Sequence, residues 1–299
     1  MLFNFAIKAL LVSLFISAAA TNAARLNSEI SKSSRIPTGT LYGITTDDGY
    51  DVADLIDSTS SLPRKVVTRI VFDPWIDASE YLPGTTAIYR AGYVMGELLD
   101  SFSMKEYSRT QYVRRAHEYL HRLGNVVDIW EVGSEVNGEW LGPTSSVAGK
   151  IAGAFDVFKQ AGKVTALTLY YNAGCSAPCH EMFAWANTNL PPRMKTGLDY
   201  VWVSYYEDDC LGLLPDWQAV FTRLRSMFPN SKLGIGEMGT TDPTAKQEML
   251  ARYYNLSRPG TITVPGFVGG YFYWFYRQDM VPKTNPLWAF FYDLLGGLP

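Results

Sequence analysis

The sequence predicts a single-domain α/β fold, a (β/α)8 TIM barrel, and three observations support this prediction. The chain has 299 residues, which suits one barrel of about 250 residues with additional loops. Strand-length apolar runs alternate with stretches of helical periodicity. The first run leads into residues 42–48 (YGITTDD), which lack the glycine-rich phosphate loop typical of an open doubly wound sheet. The closed barrel is therefore favoured over the open sheet.

Eight apolar runs have the length of β-strands, which matches the strand count of the barrel. They cover residues 41–45, 66–72, 93–99, 126–133, 164–170, 200–205, 233–237 and 268–275. In such a barrel the carboxyl ends of all strands open onto one mouth. Side chains that follow different strands are therefore expected to meet there.

Helical periodicity and helix-end signals fill the intervals between the strands. Three apolar stripes have helical spacing: Tyr112, Val113, Ala116, Tyr119, Leu120 and Leu123; Val147, Ile151, Ala154, Phe155 and Phe158; and Trp217, Val220, Phe221, Leu224 and Phe228. Ser108 and Gln111 form a capping box before the first stripe, and Gly162 ends the second. Asp242 and Pro243 predict the cap and first-turn proline of a fourth helix.

The amino terminus has the pattern of a secretory signal peptide. Lys8 precedes an apolar run over residues 9–17, and small residues follow through Ala20 and Ala23. The run is shorter than the ~20 residues of a membrane span, which favours a cleaved signal over an uncleaved anchor. We therefore predict a signal peptide over residues 1–23, a flexible lead-in over 24–37 and the barrel over 38–299. The expected location is secreted or extracellular, or periplasmic in a Gram-negative host.

Composition narrows the classes of partner. Hydrophobic residues make up 47% of the chain and aromatic residues 14%, which is ample material for a core. Charged residues make up 18%, and the formal net charge is -3. Since there is no basic excess, neither nucleic acid nor an anionic membrane surface is an expected partner. We expect a monomer that has no membrane contact once the signal has been removed.

The three cysteines, Cys175, Cys179 and Cys210, fit an oxidising compartment. One disulfide and one remaining thiol is the simplest arrangement, and the sequence leaves the pairing open. A bridge between the loops after the fifth and sixth strands is favoured over a metal site, because nothing nearby completes a four-ligand zinc set.

The segment from His117 to His121 (HEYLH) matches the His-Glu-x-x-His motif of zinc peptidases. On a helix, both histidines lie almost opposite the apolar stripe, so they face solvent rather than a buried metal. Arg114, Arg115 and Arg122 share or flank the histidine face, and cations oppose the binding of a divalent metal. We interpret the histidines as solvated residues, and a zinc peptidase remains a remote alternative.

Two glutamates follow strands that are far apart in the sequence. Glu135 ends the apolar segment 126–135, and Glu237 ends the strand 233–237. If both lie at the barrel mouth, one protonated and one ionised carboxyl can act as the acid/base and nucleophile of a glycosidase. Glu131 lies four residues before Glu135, so on a strand both side chains point to the same face. Glu131 is therefore the main rival for the acid role or else a supporting carboxylate.

The segment 130–138 (WEVGSEVNG) resembles the acid/base segment of clan A glycoside hydrolases, the large retaining clan built on this barrel. In that clan a Trp/Tyr-Glu-x-x-Asn-Glu type segment closes the fourth strand, and the nucleophilic glutamate closes the seventh. The resemblance implies that Glu135 is the acid/base and Glu237 the nucleophile of a double displacement. This chain departs from the clan at Ser134, where the clan has an asparagine that hydrogen-bonds the sugar 2-hydroxyl. Water, Asn137 or Asn172 would have to fill the gap, or catalysis is impaired.

The resemblance also implies supporting residues. Arg69, on the second strand, would lie near the nucleophile and lower the pKa of Glu237, although a surface ion pair is an alternative. Of Tyr205 and Tyr206, only one can face inward, and Tyr206 is favoured as a donor to the nucleophile. Trp274, on the eighth strand, resembles the sugar-stacking tryptophan of the clan, with core packing as the alternative. Further candidates to line the mouth are Trp75, Trp140, Asp47 and the acidic run Glu207, Asp208 and Asp209.

The sequence therefore predicts a secreted retaining glycoside hydrolase that cleaves O-glycosidic bonds in an oligosaccharide or polysaccharide. It calls for no cofactor and no metal. The alternative is a catalytically weak barrel that binds carbohydrate, which is favoured if Ser134 disables the site.

Overall fold

Eight parallel strands close into a barrel in which each strand pairs with its neighbours in the sequence and β8 pairs with β1. The structure, a computed structural model, describes residues 35–36 and 39–299. The strands are β1 Leu41–Thr46, β2 Val67–Val71, β3 Tyr93–Glu97, β4 Ile129–Glu131, β5 Val164–Tyr170, β6 Tyr200–Ser204, β7 Lys232–Glu237 and β8 Phe267–Tyr273. The predicted TIM barrel is confirmed, and the bounds of its strands differ from the predicted ones by at most three residues.

The predicted signal peptide over residues 1–23 lies outside the described residues. So does the predicted lead-in over 24–37, apart from Arg35 and Ile36. Ile36 is buried and packs with apolar side chains of the barrel interior.

Helices cover the outside of the barrel. Within the described residues they are α1 Ala53–Ser60, α2 Ala78–Ala91, α3 Arg109–Leu123, α4 Thr144–Gln160, α5 Met182–Asn189, α6 Pro192–Gly197, α7 Trp217–Met227, α8 Lys246–Tyr254, α9 Tyr276–Met280 and α10 Pro286–Gly296. The predicted capping box of Ser108 and Gln111 is present at the start of α3. All five residues of the predicted α4 stripe are buried. No helix in this part of the chain has the length and apolarity to cross a bilayer.

The predicted start of the helix after β7 is wrong. Asp242 and Pro243 form a turn in which the Asp242 carboxylate accepts a hydrogen bond of 2.8 Å from the Thr244 backbone N–H. The helix α8 begins only at Lys246. The Asx turn is an alternative use of the same Asp-Pro signal, and the sequence does not distinguish it from a helix cap.

The barrel interior changes from apolar to polar along the strands. Its lower layer consists of buried apolar side chains, among them Val67, Met95, Ile129, Ala166 and Trp202. Two residues further along the same strands, the inward side chains are Arg69, Glu97, Glu131, Thr168 and Ser204, which are all buried. Because side chains alternate along a strand, this parity places a polar layer at the carboxyl ends, directly above the apolar one.

Strand β8 departs from regular pairing. Its register shifts against both β1 and β7. Gly269 and Gly270 have φ of 87° and 94°, and a Cβ at Gly270 would lie 2.3 Å from the Ile235 carbonyl oxygen. Only glycine allows this close approach. The irregularity lets Phe272 fill the barrel interior.

A disulfide joins the loops that follow β5 and β6, as the sequence predicts. It links Cys175 to Cys210, whose Cα atoms are 5.7 Å apart, and Cys179 is an exposed free thiol. The bridge closes a segment with a sequence separation of 35 residues. On a chain-entropy model, such a loop contributes roughly 4 kcal/mol to the free energy of unfolding.

Candidate active site

A cleft of about 560 Å³ opens at the carboxyl ends of the strands. Its lining comes from the segments that follow β3, β4, β5, β6, β7 and β8. This is the size of a site that binds a small molecule or part of a chain. Glu135 and Glu237 both line it, so the structure brings the two predicted glutamates to one cavity.

Glu135 is held in an unusual backbone conformation. The chain leaves the β4 ladder after Glu131 but still pairs with β5, where the Val136 N–H donates to the Thr168 carbonyl at 3.2 Å. Between these points Glu135 has a φ of 49°, in the left-handed region that is uncommon for a residue with a Cβ. Such strain persists only where surrounding contacts hold it, and it is common at functional sites.

Glu135 is buried, with 7% of the residue exposed, and its carboxyl contacts hydroxyl groups. Ser204 donates to it at 2.6 Å and Ser101 at 3.0 Å. The pKa of Glu135 is raised to about 8, because burial and then the nearby charge of Glu237 outweigh the two serine hydrogen bonds. Glu135 is therefore largely protonated at neutral pH.

Glu237, at the end of β7, has a cation beside it. Its carboxyl is contacted by the Arg69 guanidinium and accepts a hydrogen bond of 2.6 Å from the Tyr206 hydroxyl. The pKa of Glu237 is raised above its usual value, because burial outweighs the lowering by Arg69 and Tyr206. Burial and Glu237 raise the pKa of Tyr206, so this hydroxyl stays protonated and donates.

Arg69 lies at the centre of a buried ion network, so the alternative of a surface ion pair is wrong. Its Nε donates to Glu131 at 2.7 Å, and its Nη2 donates to Ser134 at 2.9 Å. Nη2 also lies 3.0 Å from a carboxylate oxygen of Glu97. One guanidinium therefore contacts three carboxyl groups, those of Glu97, Glu131 and Glu237.

Glu131 and Glu97 lie beneath the cleft rather than on its wall. Glu131 is fully buried, contacts Arg69 through both oxygens and accepts a hydrogen bond from Thr168. Burial raises the pKa of Glu97 well above its usual range, against the attraction of Arg69. Glu97 was not a predicted site residue, although its position two residues after Met95 on β3 places it on the inward face.

Ser134 lines the cleft at the position where clan A enzymes have an asparagine. Neither Asn137 nor Asn172 supplies a free amide in its place. The Asn137 amide donates to the carbonyls of Tyr170 and His180 at 2.8 and 2.9 Å. The Asn172 amide donates to His180 at 2.9 Å and accepts from the Met182 N–H at 3.1 Å. Asn172 reaches the cleft lining, yet both ends of its amide hold the loop after β5. Of the three alternatives for the gap at Ser134, these contacts favour water or impaired catalysis over an asparagine amide.

The aromatic candidates divide between the cleft and its surroundings. Tyr206 lines the cleft, whereas the buried Tyr205 donates to the Leu213 carbonyl. Trp274 follows the end of β8 and lines the cleft, with the Arg69 guanidinium carbon 6.0 Å from its ring centroid. Trp140 also lines the cleft.

The four acidic candidates for the mouth differ in their surroundings. Glu207 forms an ion pair with Arg252, while Asp208 and Asp209 line the cleft. Asp47 accepts a hydrogen bond of 2.7 Å from Gln278.

Ser101 and Ser204 were not predicted. Ser204 lies two residues after the inward-facing Trp202, so strand parity could have indicated it. Ser101 lies in the 3₁₀ helix Ser101–Glu106 after β3, and the sequence has no signal for its role.

The histidines of the HEYLH segment are exposed on α3, and Glu118 accepts a hydrogen bond of 2.8 Å from the Ala78 N–H. In residues 35–36 and 39–299, no three His, Cys, Asp or Glu side chains are grouped as metal ligands. Arg115 differs from its prediction. It is buried and donates to backbone carbonyls, including that of Leu98 at 2.7 Å, so it does not share the histidine face.

No established family profile and no curated protein matches this chain by sequence. Solved structures with a similar fold include a family 1 β-glucosidase from Thermotoga maritima. It is 12% identical, with 82% of this chain and 89% of that chain covered and a TM-score of 0.53. A GH18 chitinase from Pseudoalteromonas aurantia is 10% identical, with 85% of this chain and all of that chain covered and a TM-score of 0.56.

Saccharomyces cerevisiae Gas2p in complex with laminaripentaose is also similar in fold. It is 11% identical, with 90% of this chain and 67% of that chain covered and a TM-score of 0.54. At these identities the likeness shows a shared barrel fold. The predicted resemblance to barrel glycoside hydrolases is confirmed at that level.

Proposed function

We propose that this protein is a secreted retaining glycoside hydrolase with Glu135 as acid/base and Glu237 as nucleophile. One observation carries the proposal: the two carboxyls line the same cleft, and only Glu237 has a guanidinium in direct contact. Glu135 is a buried carboxyl bonded to serine hydroxyls, and Glu237 is a carboxyl in contact with a guanidinium. The acid/base must be protonated and the nucleophile ionised, so the two roles require carboxyls in different environments.

In the first step Glu135 acts as the acid. Because its pKa is raised to about 8, roughly 90% of it is protonated at pH 7. Its proton passes to the glycosidic oxygen as the bond between that oxygen and the anomeric carbon breaks. The departing sugar leaves as an alcohol, and Glu135 becomes a carboxylate.

Glu237 attacks the anomeric carbon in the same step. Contact with Arg69 favours the ionised form of its carboxylate against the effect of burial, and Tyr206 fixes the orientation through Oε1. The result is a glycosyl ester of Glu237. Water then attacks the anomeric carbon, Glu135 takes the proton of that water, and the Glu237 carboxylate is released.

The retaining route is proposed over the inverting one for two reasons. The two glutamates follow the fourth and seventh strands, as in the retaining clan that the sequence resembles. The charge of Glu237 also contributes to the raised pKa of Glu135, as expected for carboxyls at short range. A retaining pair stands about 5 Å apart and leaves no space for a water between nucleophile and sugar.

We infer a neutral glycan as the substrate class. Asp100, Glu139, Asp208 and Asp209 line the cleft together with the catalytic pair, and no lysine or arginine belongs to the lining in the described part of the chain. These carboxylates would repel the uronic acids of an anionic polysaccharide. Aromatic rings of Trp140 and Trp274 offer faces for sugar stacking. The disulfide supports a secreted location.

A screen of chromogenic glycosides and neutral polysaccharides tests the proposal. Glu237→Gln should abolish hydrolysis while sugar binding is retained, and the exposed Glu80→Gln is the matched control that should keep full activity. A fluorosugar inactivator should add one glycosyl unit to Glu237, detected by mass spectrometry. An adduct on another residue, or full activity of Glu237→Gln, contradicts the assignment.

The second candidate function is a barrel that binds carbohydrate without efficient hydrolysis. It is favoured by the serine at position 134, whose hydroxyl accepts a hydrogen bond from Arg69. No asparagine amide takes the place of the clan's asparagine, because those of Asn137 and Asn172 donate to backbone carbonyls. The loss of the contact to the 2-hydroxyl would remove a bond that strengthens in the transition state. Binding of glycans without turnover across the screen would support this function. Ser134→Asn would then be expected to restore hydrolysis.

A further inference from the structure

An exposed tryptophan lies outside the lining of the catalytic cleft. Trp75, in the loop between β2 and α2, is 57% exposed, which is unusual for so large an apolar side chain. One face of its indole stacks on Tyr107, with ring centroids 4.1 Å apart and an angle of 9° between the planes. We call this stacked pair, Trp75 and Tyr107, the aromatic platform.

The platform is fixed in place by polar contacts and by its backbone. The Trp75 N–H donates to the Tyr107 hydroxyl at 2.6 Å, and its indole Nε1 donates to Glu106 at 3.0 Å. The φ of Trp75 is 63°, a left-handed conformation that is rare for a bulky residue. A rigid, exposed aromatic face loses little conformational entropy when a ligand packs on it.

Hydrogen-bonding side chains surround the platform. Trp75 and Tyr107 border a depression of about 280 Å³ whose lining includes Gln111 and Arg114 together with two carboxylates, Asp77 and Glu118. The Gln111 side-chain oxygen accepts the capping hydrogen bonds of α3, which leaves its NH₂ group for a ligand. Arg114 is exposed and has no ion-pair partner among the residues that the structure describes. An apolar face with adjacent neutral and cationic donors suits a hydroxyl-rich ring.

One short helix connects the platform to the cleft. Phe102 lines the cleft and stacks on Trp140 at 5.6 Å, and Glu106 of the same 3₁₀ helix holds the Trp75 indole. At about 2 Å of rise per residue, Phe102 and Glu106 are about 8 Å apart along this helix. A chain of sugar rings that leaves the cleft past Phe102 and follows this helix would reach Trp75 within a few units.

We propose that the aromatic platform is a distal binding site for a neutral glycan chain that extends out of the cleft. The inference rests on the proposed function and specifies its substrate as a polysaccharide or long oligosaccharide rather than a disaccharide. Trp75 packs against the C–H face of one sugar ring, and Gln111 and Arg114 donate to its hydroxyls. The platform thus contributes to affinity for long chains and not to bond cleavage itself.

The test compares long and short substrates in matched variants. Trp75→Gly removes the ring and suits the left-handed backbone, so the fold is expected to persist. Trp75→Phe keeps an aromatic face and loses only the hydrogen bond to Glu106. The control is Tyr292→Ala, since Tyr292 is 40% exposed and also contacts a second aromatic ring, that of Trp288, with centroids 5.3 Å apart.

The substrates are laminarin, glycol chitin, hydroxyethyl cellulose and xylan, each paired with the nitrophenyl glycoside of its disaccharide. For the polymer that the protein cleaves, Trp75→Gly should raise the ratio of polymer KM to disaccharide KM about three- to tenfold. Trp75→Phe should restore most of this loss, and Tyr292→Ala should leave the ratio unchanged. An unchanged ratio in Trp75→Gly overturns the platform while the hydrolase proposal stands.

Affinity electrophoresis in gels that contain the same four polymers separates the two proposals. If the wild type cleaves none of them but its retardation depends on Trp75, the hydrolase proposal fails and the platform stands. If the wild type is neither retarded nor active with any of the four, the platform is overturned as well.

Discussion

The proposed acid role of Glu135 predicts how the pH profile responds to the loss of one serine hydroxyl. Ser204 donates to Glu135 at 2.6 Å, and this hydrogen bond stabilises the ionised carboxylate. Ser204→Ala therefore disfavours ionisation and raises the pKa of Glu135 above its present value of about 8. Since glycosidic cleavage requires the protonated acid, the alkaline limb of kcat/KM should move to higher pH.

The size of the shift follows from the strength of the hydrogen bond. A bond to a charged acceptor contributes about 1.5–3 kcal/mol, and part of it persists when the acceptor is a neutral carboxyl. At 1.36 kcal/mol per pKa unit, the net loss of about 1–2 kcal/mol corresponds to about one unit. Ser101 donates at the longer distance of 3.0 Å, so Ser101→Ala should give a smaller shift in the same direction.

The assay is kcat/KM for a chromogenic glycoside from pH 4 to 10, on variants whose folding is checked by circular dichroism. Ser231→Ala is the control, because Ser231 is also buried but donates to the Leu198 carbonyl, away from the cleft. Its alkaline limb should coincide with that of the wild type. A limb that stays in place in Ser204→Ala, or moves to lower pH, would show that Glu135 is not the group that titrates there.

Three further predictions concern the ion network, the acid and the disulfide. Arg69→Met leaves buried carboxyls without their cation, so the free energy of unfolding should fall by about 3–5 kcal/mol. The acid limb of kcat/KM should move to higher pH, because the pKa of Glu237 rises without Arg69. An unchanged melting temperature would contradict the network. Glu135→Gln should stabilise the protein more at pH 8 than at pH 5. In the folded wild type this carboxyl keeps its proton up to about pH 8, whereas the unfolded chain loses it near pH 4.5, so wild-type stability falls as the pH rises between these values, by up to about 1.4 kcal/mol per unit. Urea unfolding of both proteins at the two pH values measures the difference, and an equal gain at both would refute the raised pKa. The double variant Cys175→Ser, Cys210→Ser should lose roughly 4 kcal/mol, and reduction of the wild type should lower its melting temperature to that of the variant.

The barrel was largely predictable because its signals are local and repeated. Each strand is a short apolar run, and neighbouring runs are separated by a helical stripe, so the period of hydrophobicity determines the type of each element. The prediction of an element fails where the same local sequence is compatible with two structures. Asp242 and Pro243 can cap a helix or form a turn, and the structure has the turn.

The candidate site was predictable only in part. Strand order places Glu135 and Glu237 at one mouth, and strand parity turns Arg69 inward. Parity could also have indicated Glu97 and Ser204, since each follows an inward apolar residue by two positions.

The sequence alone determined the architecture, the pair of glutamates and the outward direction of His117 and His121, since these depend on periodicity within single elements. Tertiary structure decided the pKa of Glu135, because this pKa depends on burial and on the charge of Glu237 from another strand. It also decided that Arg69 contacts three carboxyls, and that Trp75 stacks on Tyr107. Electrostatic energies depend on distances between residues that are remote in the chain, and closure of the barrel sets those distances.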